Sequence, residues 1–301
     1  MRFPLASLLA LLSLVPRLAL SQPAKEALQS GITTIAASVD GNVGVAIMRL
    51  ETGDIISMNG NARFPMQSVF KFPIAMAVLR QVDQGKLSLD RKIHVDKRDY
   101  VPAGMNSPLR DTYPRGGADI TIAELLRYSV SESDGSACDL LLRILGGPKK
   151  AAAYIHDLGV PEIAIATTEK EMAAGPMVQY RNWCQPVAMA HLLSMFHAGK
   201  GLSAASHALL SSLMTNTTTG LKRIRGLLPA GTVVEHKTGT ARTSAGMTRA
   251  TNDVGIITLP NGDHIAVVVF ISDSRSDEAT REGTIANIAR AAWDYGVSGG
   301  R

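Results

Sequence analysis

Cysteine is almost absent. Only Cys138 and Cys184 carry a thiol in 301 residues. This excludes a disulfide-dense scaffold, and the spacing matches no zinc signature, since the histidines do not cluster with the cysteines. Whether the two thiols pair stays open from sequence, because Cys138 lies in an apolar helical stretch where a lone thiol behaves as a small hydrophobe. No internal repeat and no long low-complexity tract occurs. A strong excess of one charge is missing too. The formal net charge is +5, with Arg2 and Arg17 supplying two of the positive charges, and no run of Lys or Arg forms a basic tail. Nothing here argues for a nucleic-acid partner. Past residue 21 no apolar stretch reaches membrane-spanning length, so no membrane association is expected there. What remains, 46% apolar and 19% charged residues, is the composition of a globular chain long enough for one large domain or two intimate ones.

The first segment reads as a secretory signal peptide rather than as part of the fold. Arg2 gives a positive start, residues 5–15 are apolar or small without charge, and Ala19 and Ser21 place small residues at −3 and −1 of a cut before Gln22. About 11 apolar residues are too few to span a hydrocarbon core of about 30 Å. The expectation is export to the periplasm or medium, with residues 1–21 removed.

The rest alternates in character. A helix is predicted over 24–38, and strands over 43–50 and 55–58 around the turn Glu51-Thr52-Gly53-Asp54. From 66 to 211 the pattern is mostly helical. It includes Thr121-Ile-Ala-Glu124, which has the form of a capping box, and helices over 71–84, 121–129, 137–145 and 186–197. Strands return over 232–238, 252–259 and 264–271, the last two flanking Pro260-Asn261-Gly262-Asp263, a hairpin signal. A closing helix is predicted over 277–295. This is an α+β pattern: one antiparallel sheet built from both chain ends (22–64 and 212–301) and an all-helical lobe (65–211), with a cleft between them for a ligand.

Three short motifs carry polar chemistry. In Ser68-Val-Phe-Lys71 the hydroxyl and the amine are three residues apart, so on a helix they share a face and the lysine can approach the serine. The Ser68 N–H would then sit at a helix N-terminus, where an oxyanion is stabilised. In Ser131-Glu132-Ser133-Asp134-Gly135 a hydroxyl can point into a cleft, although Ser133 or Asp134 would serve equally well as a helix N-cap. In His236-Lys237-Thr238-Gly239-Thr240 a lysine and two threonines on a strand offer a positive wall and hydroxyl donors, and Gly239 clears space beside the strand. Each alone is a weak signal.

Their order and wide separation are not weak. Ser-x-x-Lys, then Ser-Asp-x, then Lys-Thr-Gly is the set carried by class A β-lactamases and penicillin-binding proteins, and the chain resembles that superfamily over essentially its whole mature length. Glu169, in Thr168-Glu-Lys-Glu-Met172, matches the place of the glutamate that activates the deacylating water in class A enzymes; Glu171 is the local competitor. Pro65-Met-Gln-Ser-Val-Phe-Lys71, Val178-Gln-Tyr-Arg-Asn-Trp183 and the stretch 251–262 resemble the PER-, VEB- and CfxA-type subgroup, as does the long segment from Thr240 to Ala250 after Lys-Thr-Gly.

The resemblance implies a serine β-lactamase of the β-lactamase/D,D-peptidase-like fold, with a five-stranded sheet and no metal or cofactor. Its partner would be a small β-lactam, and the family expectation is a monomer. By the same resemblance Ser68, Lys71, Ser133 and Glu169 would be catalytic, while Lys237, Thr238, Thr240, Arg223, Gly135 and Asn106 would face substrate. Arg223 takes the part of the usual carboxylate-binding arginine, whose common place is held by Thr251; Arg225 and Arg249 are alternatives. Gly135 stands where an asparagine that helps hold the lysine is usual, Ala173 where a polar partner of the water is usual, and Asn106 where many relatives have an aromatic. Whether Lys71 or a Glu169-held water acts as base in acylation stays open. A D,D-peptidase and a β-lactam sensor that stops at the acyl stage are the other readings.

Overall fold

The computed structural model describes residues 22–298. The expected signal segment lies outside the described residues. The first described helix is Gln22–Ala36.

The two chain ends meet in one antiparallel sheet. Its order is Ile55–Met58, Asn42–Arg49, His264–Ser272, Thr251–Thr258, Val234–Thr240. N-terminal and C-terminal strands pair directly, from Asn42 opposite Ser272 to Arg49 opposite Ile265. The Asn-Gly hairpin forms as expected: Gly262 takes φ +86°, and the Leu259 N–H donates to Asp263 O at 2.8 Å. The last strand is displaced from its expected span. It runs over Val234–Thr240 rather than 232–238, because Gly239 does not end it but pairs with Asn252.

Strand periodicity sorts the core into two layers. Val43, Val45 and Ile47, with Val267, Val269 and Ile271, pack against Leu28 and Ile32 of the first helix and Ile285 and Ile288 of the closing helix, Glu278–Ser298. Ala46, Met48, Val268 and Phe270 face the helical region instead. Gly44 lies on that second face, where a Cβ would run into the Phe64 ring. Phe64 in turn stacks on Phe270 with centroids 6.0 Å apart.

At the centre of the helical region lies Lys71–Asp83, buried along its apolar run from Phe72 to Leu79. A helix apolar all round belongs inside. Helices Ile122–Ser131, Gly135–Leu145, Pro148–Asp157, Pro186–His197 and Ala204–Thr215 join it in one apolar core. The capping box at Thr121 forms with Glu124, and Asp134 caps the helix that follows it. Two small ladders had no counterpart in the sequence pattern: Lys92–Val95 with Ala118–Thr121, and Phe64–Pro65 and Ile163–Ala164 on either side of Trp183–Cys184. Position 64/65 falls in one of these ladders and position 211/212 inside helix Ala204–Thr215, so the sheet and helical regions are joined by continuous structure rather than by linkers. Cys138 and Cys184 are both free and buried. Among the described residues no helix is long and apolar enough to cross a membrane.

Phe270 ties the sheet to the helical layer. Phe270→Ala should cost about 3–5 kcal/mol of unfolding free energy by loss of burial and creation of a cavity, measured by urea denaturation. A loss below about 1 kcal/mol would show that the two layers are not held together there.

Candidate active site

Ser68 sits in a 3-10 turn, Gln67–Phe70, that runs directly into helix Lys71–Asp83. The expected helix thus begins with a tighter turn. In a 3-10 turn residues i and i+3 eclipse, which aligns Ser68 with Lys71. The Lys71 ammonium donates to Ser68 Oγ at 2.7 Å. Gln67, before the serine, has φ +46°. Two features of the sheet hold this turn. Asn252 Nδ2 donates to Pro65 O at 2.8 Å and to Met66 O at 3.0 Å. Gly239 lets the last strand press on the same segment, since a Cβ there would collide with Met66 O.

Ser133 is the hinge between the two lysines. It adopts φ +59°, a left-handed conformation rare for a residue with a side chain. In that conformation its carbonyl accepts from Lys71 Nζ at 2.8 Å and its hydroxyl accepts from Lys237 Nζ at 2.9 Å. Asp134 fixes the loop from below, accepting from Ala137 N at 2.8 Å and Leu109 N at 2.6 Å. Burial pushes the Asp134 carboxyl above its usual range. Asn106 does not offer a ring to the cleft. Its amide donates to Glu132 O at 2.8 Å and Ser133 O at 3.1 Å, while its own carbonyl accepts the Gly135 N–H at 2.9 Å.

Glu169 completes the cluster. Its Oε1 lies 2.6 Å from Lys71 Nζ, with both side chains almost fully buried. The contact is an ion pair rather than a well-aligned hydrogen bond, and Oε1 accepts no hydrogen bond from any other side chain. Both Ser68 Oγ and Glu169 Oε1 therefore touch one ammonium, within one water's reach of each other. Glu171 is spoken for: its carboxylate accepts the Thr168 N–H at 2.8 Å and the Thr167 hydroxyl at 2.8 Å in a capping box. Of the two glutamates, Glu169 is the one beside Lys71. Gly135 offers no side chain, and Lys71 rests on hydrogen bonds to Ser68 Oγ and Ser133 O and on its ion pair with Glu169.

The two ammonium groups differ in electrostatics. Burial works against the charge on Lys71, but the adjacent Glu169 carboxylate outweighs it and raises the pKa. Burial, reinforced by the nearby Lys71 charge, pushes Lys237 well below the usual lysine range.

Arg223 is buried beneath the last strand. It donates to Thr240 Oγ1 at 2.8 Å and Asn252 O at 3.0 Å and pairs with Glu282 at 3.0 Å. Arg225 points elsewhere, to Thr215 O and Val234 O. Arg249 lines the cleft. Thr251 accepts from Arg281 at 2.9 Å. Thr238 shares a hydroxyl contact of 2.6 Å with Thr219. The cleft has a volume of about 460 Å³, and Ser68, Lys71, Asn106, Ser133, Glu169 and Thr240 open onto it, as do Ala173 and Arg242. Lys237, Thr238, Gly135 and Arg223 stand behind that wall.

The beta-lactamase enzyme family model matches residues 27–296. The chain is 43% identical to the extended-spectrum beta-lactamase PER-1 of Pseudomonas aeruginosa, over 89% of this chain and 87% of that one. It is 39% identical to beta-lactamase VEB-1 of the same organism, over 96% of each. Among solved structures it superposes on a beta-lactamase from Chitinophaga pinensis at TM-score 0.87 and 51% identity, covering 89% of this chain and 98% of that one. The TLA-1 extended-spectrum beta-lactamase matches at TM-score 0.88 and 44% identity, covering 91% and 99%. The chain belongs to the class A β-lactamases, the serine hydrolases of β-lactams. Its sheet and helical region have the fold of that family, and the resemblance drawn from its motifs holds.

Sequence reasoning missed Asp139. From helix Gly135–Leu145 its carboxylate accepts the N–H groups of Glu169 at 2.7 Å and Lys170 at 3.0 Å, anchoring the turn that carries Glu169. One signal was available: Asp139 is four residues after Gly135, on the same helical face. Asn182 was also missed. It spans the loop base, accepting from Ala166 N at 2.8 Å and Thr167 N at 3.0 Å.

Burial pushes the Asp139 carboxyl up to about 6, against the two N–H donors that favour its charge. The folded chain therefore keeps this proton to higher pH than the unfolded chain, and the group's contribution to stability falls as pH rises from about 4 to about 6. Asp139→Asn removes the titration. The stability of the parent relative to this variant should be greatest at about pH 4 and drop by about 2 kcal/mol by about pH 7, measured by urea unfolding at each pH. Parallel profiles for the two proteins would refute the assignment.

Proposed function

We propose that the protein hydrolyses β-lactams through an acyl-enzyme on Ser68, released by water that Glu169 activates. The observation that carries this reading is the Lys71 ammonium, which touches Ser68 Oγ, Ser133 O and Glu169 Oε1 together. A nucleophile, a proton relay and a deacylating base thereby share one centre.

A substrate carboxylate would meet Thr240, backed by Arg223 and the Lys237–Thr238 strand. Arg223 acts by orienting Thr240 and adding positive charge beneath it. The N–H groups of Ser68 and Thr240 form the oxyanion hole. Lys71, held protonated by Glu169, donates to Ser68 Oγ and cannot take its proton, so the proton passes to Glu169 through a water. Ser68 Oγ then bonds to the lactam carbonyl carbon. The C–N bond breaks, and Ser133 delivers a proton to the departing nitrogen; Lys71 replaces that proton and takes back the one held on Glu169, which is again a carboxylate. In the second half Glu169 takes a proton from water, hydroxide adds to the ester carbon, and Ser68 leaves as the alcohol. No metal enters either half. A carboxylate arriving near Lys237 also favours the ammonium that burial otherwise suppresses. The hairpin of Thr243–Ser244 with Met247–Thr248, beyond the last strand, shapes the side of the cleft where bulky cephalosporin substituents would lie. Cleavage before Gln22 and export complete the reading, placing the enzyme where β-lactams enter a cell and letting it confer resistance. A carboxylate so close to Ser68 argues against a D,D-peptidase or a sensor, which need a long-lived acyl group.

Ser68→Ala should reduce cephalosporin turnover by about 10⁵-fold or more, the scale of losing a nucleophile. Glu169→Ala also removes the carboxylate that holds Lys71 protonated, so the lysine can serve as base and acylation should proceed. Deacylation should slow about 10²–10⁴-fold, and mass spectrometry after mixing should show a stoichiometric adduct on Ser68. Rapid turnover by Glu169→Ala without an adduct would reject the assigned base. Arg223→Lys keeps the charge but loses the fork that holds Thr240 and Asn252. It should raise KM about tenfold, with kcat changed less, in steady-state assays.

A further inference from the structure

At the far end of the sheet from the cleft, three side chains outside the proposed mechanism converge. Glu51 is in the turn after strand Asn42–Arg49, His264 opens strand His264–Ser272, and His197 ends helix Pro186–His197. One ligand atom of each lies within 4.8 Å of the other two. The site is remote from Ser68. Thr251, next to Thr240, pairs with Ile271, whereas His264 pairs with Thr258, seven residues along the ladder, or about 23 Å at the rise of a strand.

The carboxylate is held in place but half used. Glu51 Oε1 accepts the His264 backbone N–H at 2.9 Å and contacts His264 Nδ1 at 3.0 Å. Glu51 Oε2 is buried and has no hydrogen-bond partner at all. Leaving such an acceptor unpaired is costly, so it calls for an occupant. Glu51 Oε1 and His264 Nδ1, 3.0 Å apart, stand at close to the separation of two donors on one tetrahedral ion. The His197 and His264 rings lie with centroids 4.2 Å apart. Arg49, two residues before Glu51, pairs through one terminal nitrogen with Asp263 at 2.8 Å, while its Nε is buried without a partner.

We propose that Glu51, His197 and His264 form a surface site for a late first-row divalent cation, with zinc the best fit. Two imidazoles and one carboxylate are a donor set that zinc accepts, and the partial exposure of all three leaves a fourth position to solvent. Donor atoms around a tetrahedral zinc stand about 3.3 Å apart at normal bond lengths, so a modest closing of three partly exposed side chains completes the shell. The ion would join helix Pro186–His197 to two strands of the sheet. It would act as a stabilising clip between the layers, not as a catalyst.

The test uses the protein from Gln22 onward with zinc chloride as the probe. Calorimetry should show one saturable site. If its Kd is about 1 µM, about 100 µM zinc should raise the thermal midpoint by about 5 °C. His264→Gln and His197→Gln should each weaken binding at least tenfold while leaving cephalosporin turnover without zinc unchanged. An independent readout needs no substitution: zinc should shift the ring-nitrogen NMR signals of His197 and His264 ahead of those of the other histidines. The proposal is overturned if zinc binding is equal in both variants, if no saturable binding occurs below about 100 µM, or if the shifted rings are other histidines.

Discussion

The Lys71 ammonium is the point on which the site turns. A charge taken fully out of water is costly unless it is paired and hydrogen-bonded. Here it hydrogen-bonds to the Ser68 turn and the Ser133 loop and is ion-paired with the Glu169 turn. Those three segments are far apart in sequence, and the ammonium links them. The left-handed backbone of Ser133 follows from this demand. Such a conformation costs about 1–3 kcal/mol, but it turns the carbonyl to one lysine and the hydroxyl to the other, and charge-assisted hydrogen bonds of that kind are roughly twice as strong as neutral ones.

Two buried lysines around one serine raise a further question, which carboxylate proximity answers. Lys71 adjoins Glu169 and is held protonated. Lys237 meets only neutral oxygens directly, namely Ser133 Oγ and Thr238 O, and the like charge on Lys71 tells against it. The resting site is thus short of one anion on the Lys237 side. An anionic ligand placed there removes the penalty on the second ammonium, so binding and charge restoration are one event. Through Ser133 the two lysines are coupled. A change in the charge of Lys237 is felt by the hydroxyl that the proposed mechanism uses to deliver a proton.

How much of this was legible in the sequence depended on how local the cause was. Ser68 and Lys71 could be paired by number alone, because their neighbourhood is set by helical spacing. The Asn-Gly hairpin and the Thr121 capping box were legible for the same reason. The separate convergence of Ser133, Glu169 and Lys237 was not a consequence of any spacing, and only the resemblance of the combined motifs suggested it. The left-handed φ of Ser133 left no mark, since serine is not a residue that advertises it. Two-residue ladders such as Trp183–Cys184 carry too little periodicity to register. Gly239 was read as clearing space beside its strand, but what comes close is the chain's own Met66 carbonyl, a neighbour no local pattern names. Asp139 had a weak local signal in its helical phase, but its partners are backbone N–H groups that no side-chain motif reveals.

The same reasoning bears on why the sheet is assembled from both ends of the chain. Asn252 and Gly239, which hold the turn before Ser68, come from the C-terminal strands. Lys237, which holds the Ser133 hydroxyl, comes from the same strand as Gly239. A helical lobe folded without these strands would leave the Met66 carbonyl unclamped and the Ser133 hydroxyl without its partner. These strands pair with one another in chain order, and His264–Ser272 also pairs with Asn42–Arg49, more than two hundred residues earlier. The geometry around Ser68 therefore depends on contacts of long sequence separation, Asn252 with Pro65 and Lys237 with Ser133 among them, whose loop-closure entropy is met before their enthalpy is gained. Such a site is all-or-none: a partly folded chain has the motifs but not the convergence, and reactive placement of the serine arrives only with the complete sheet.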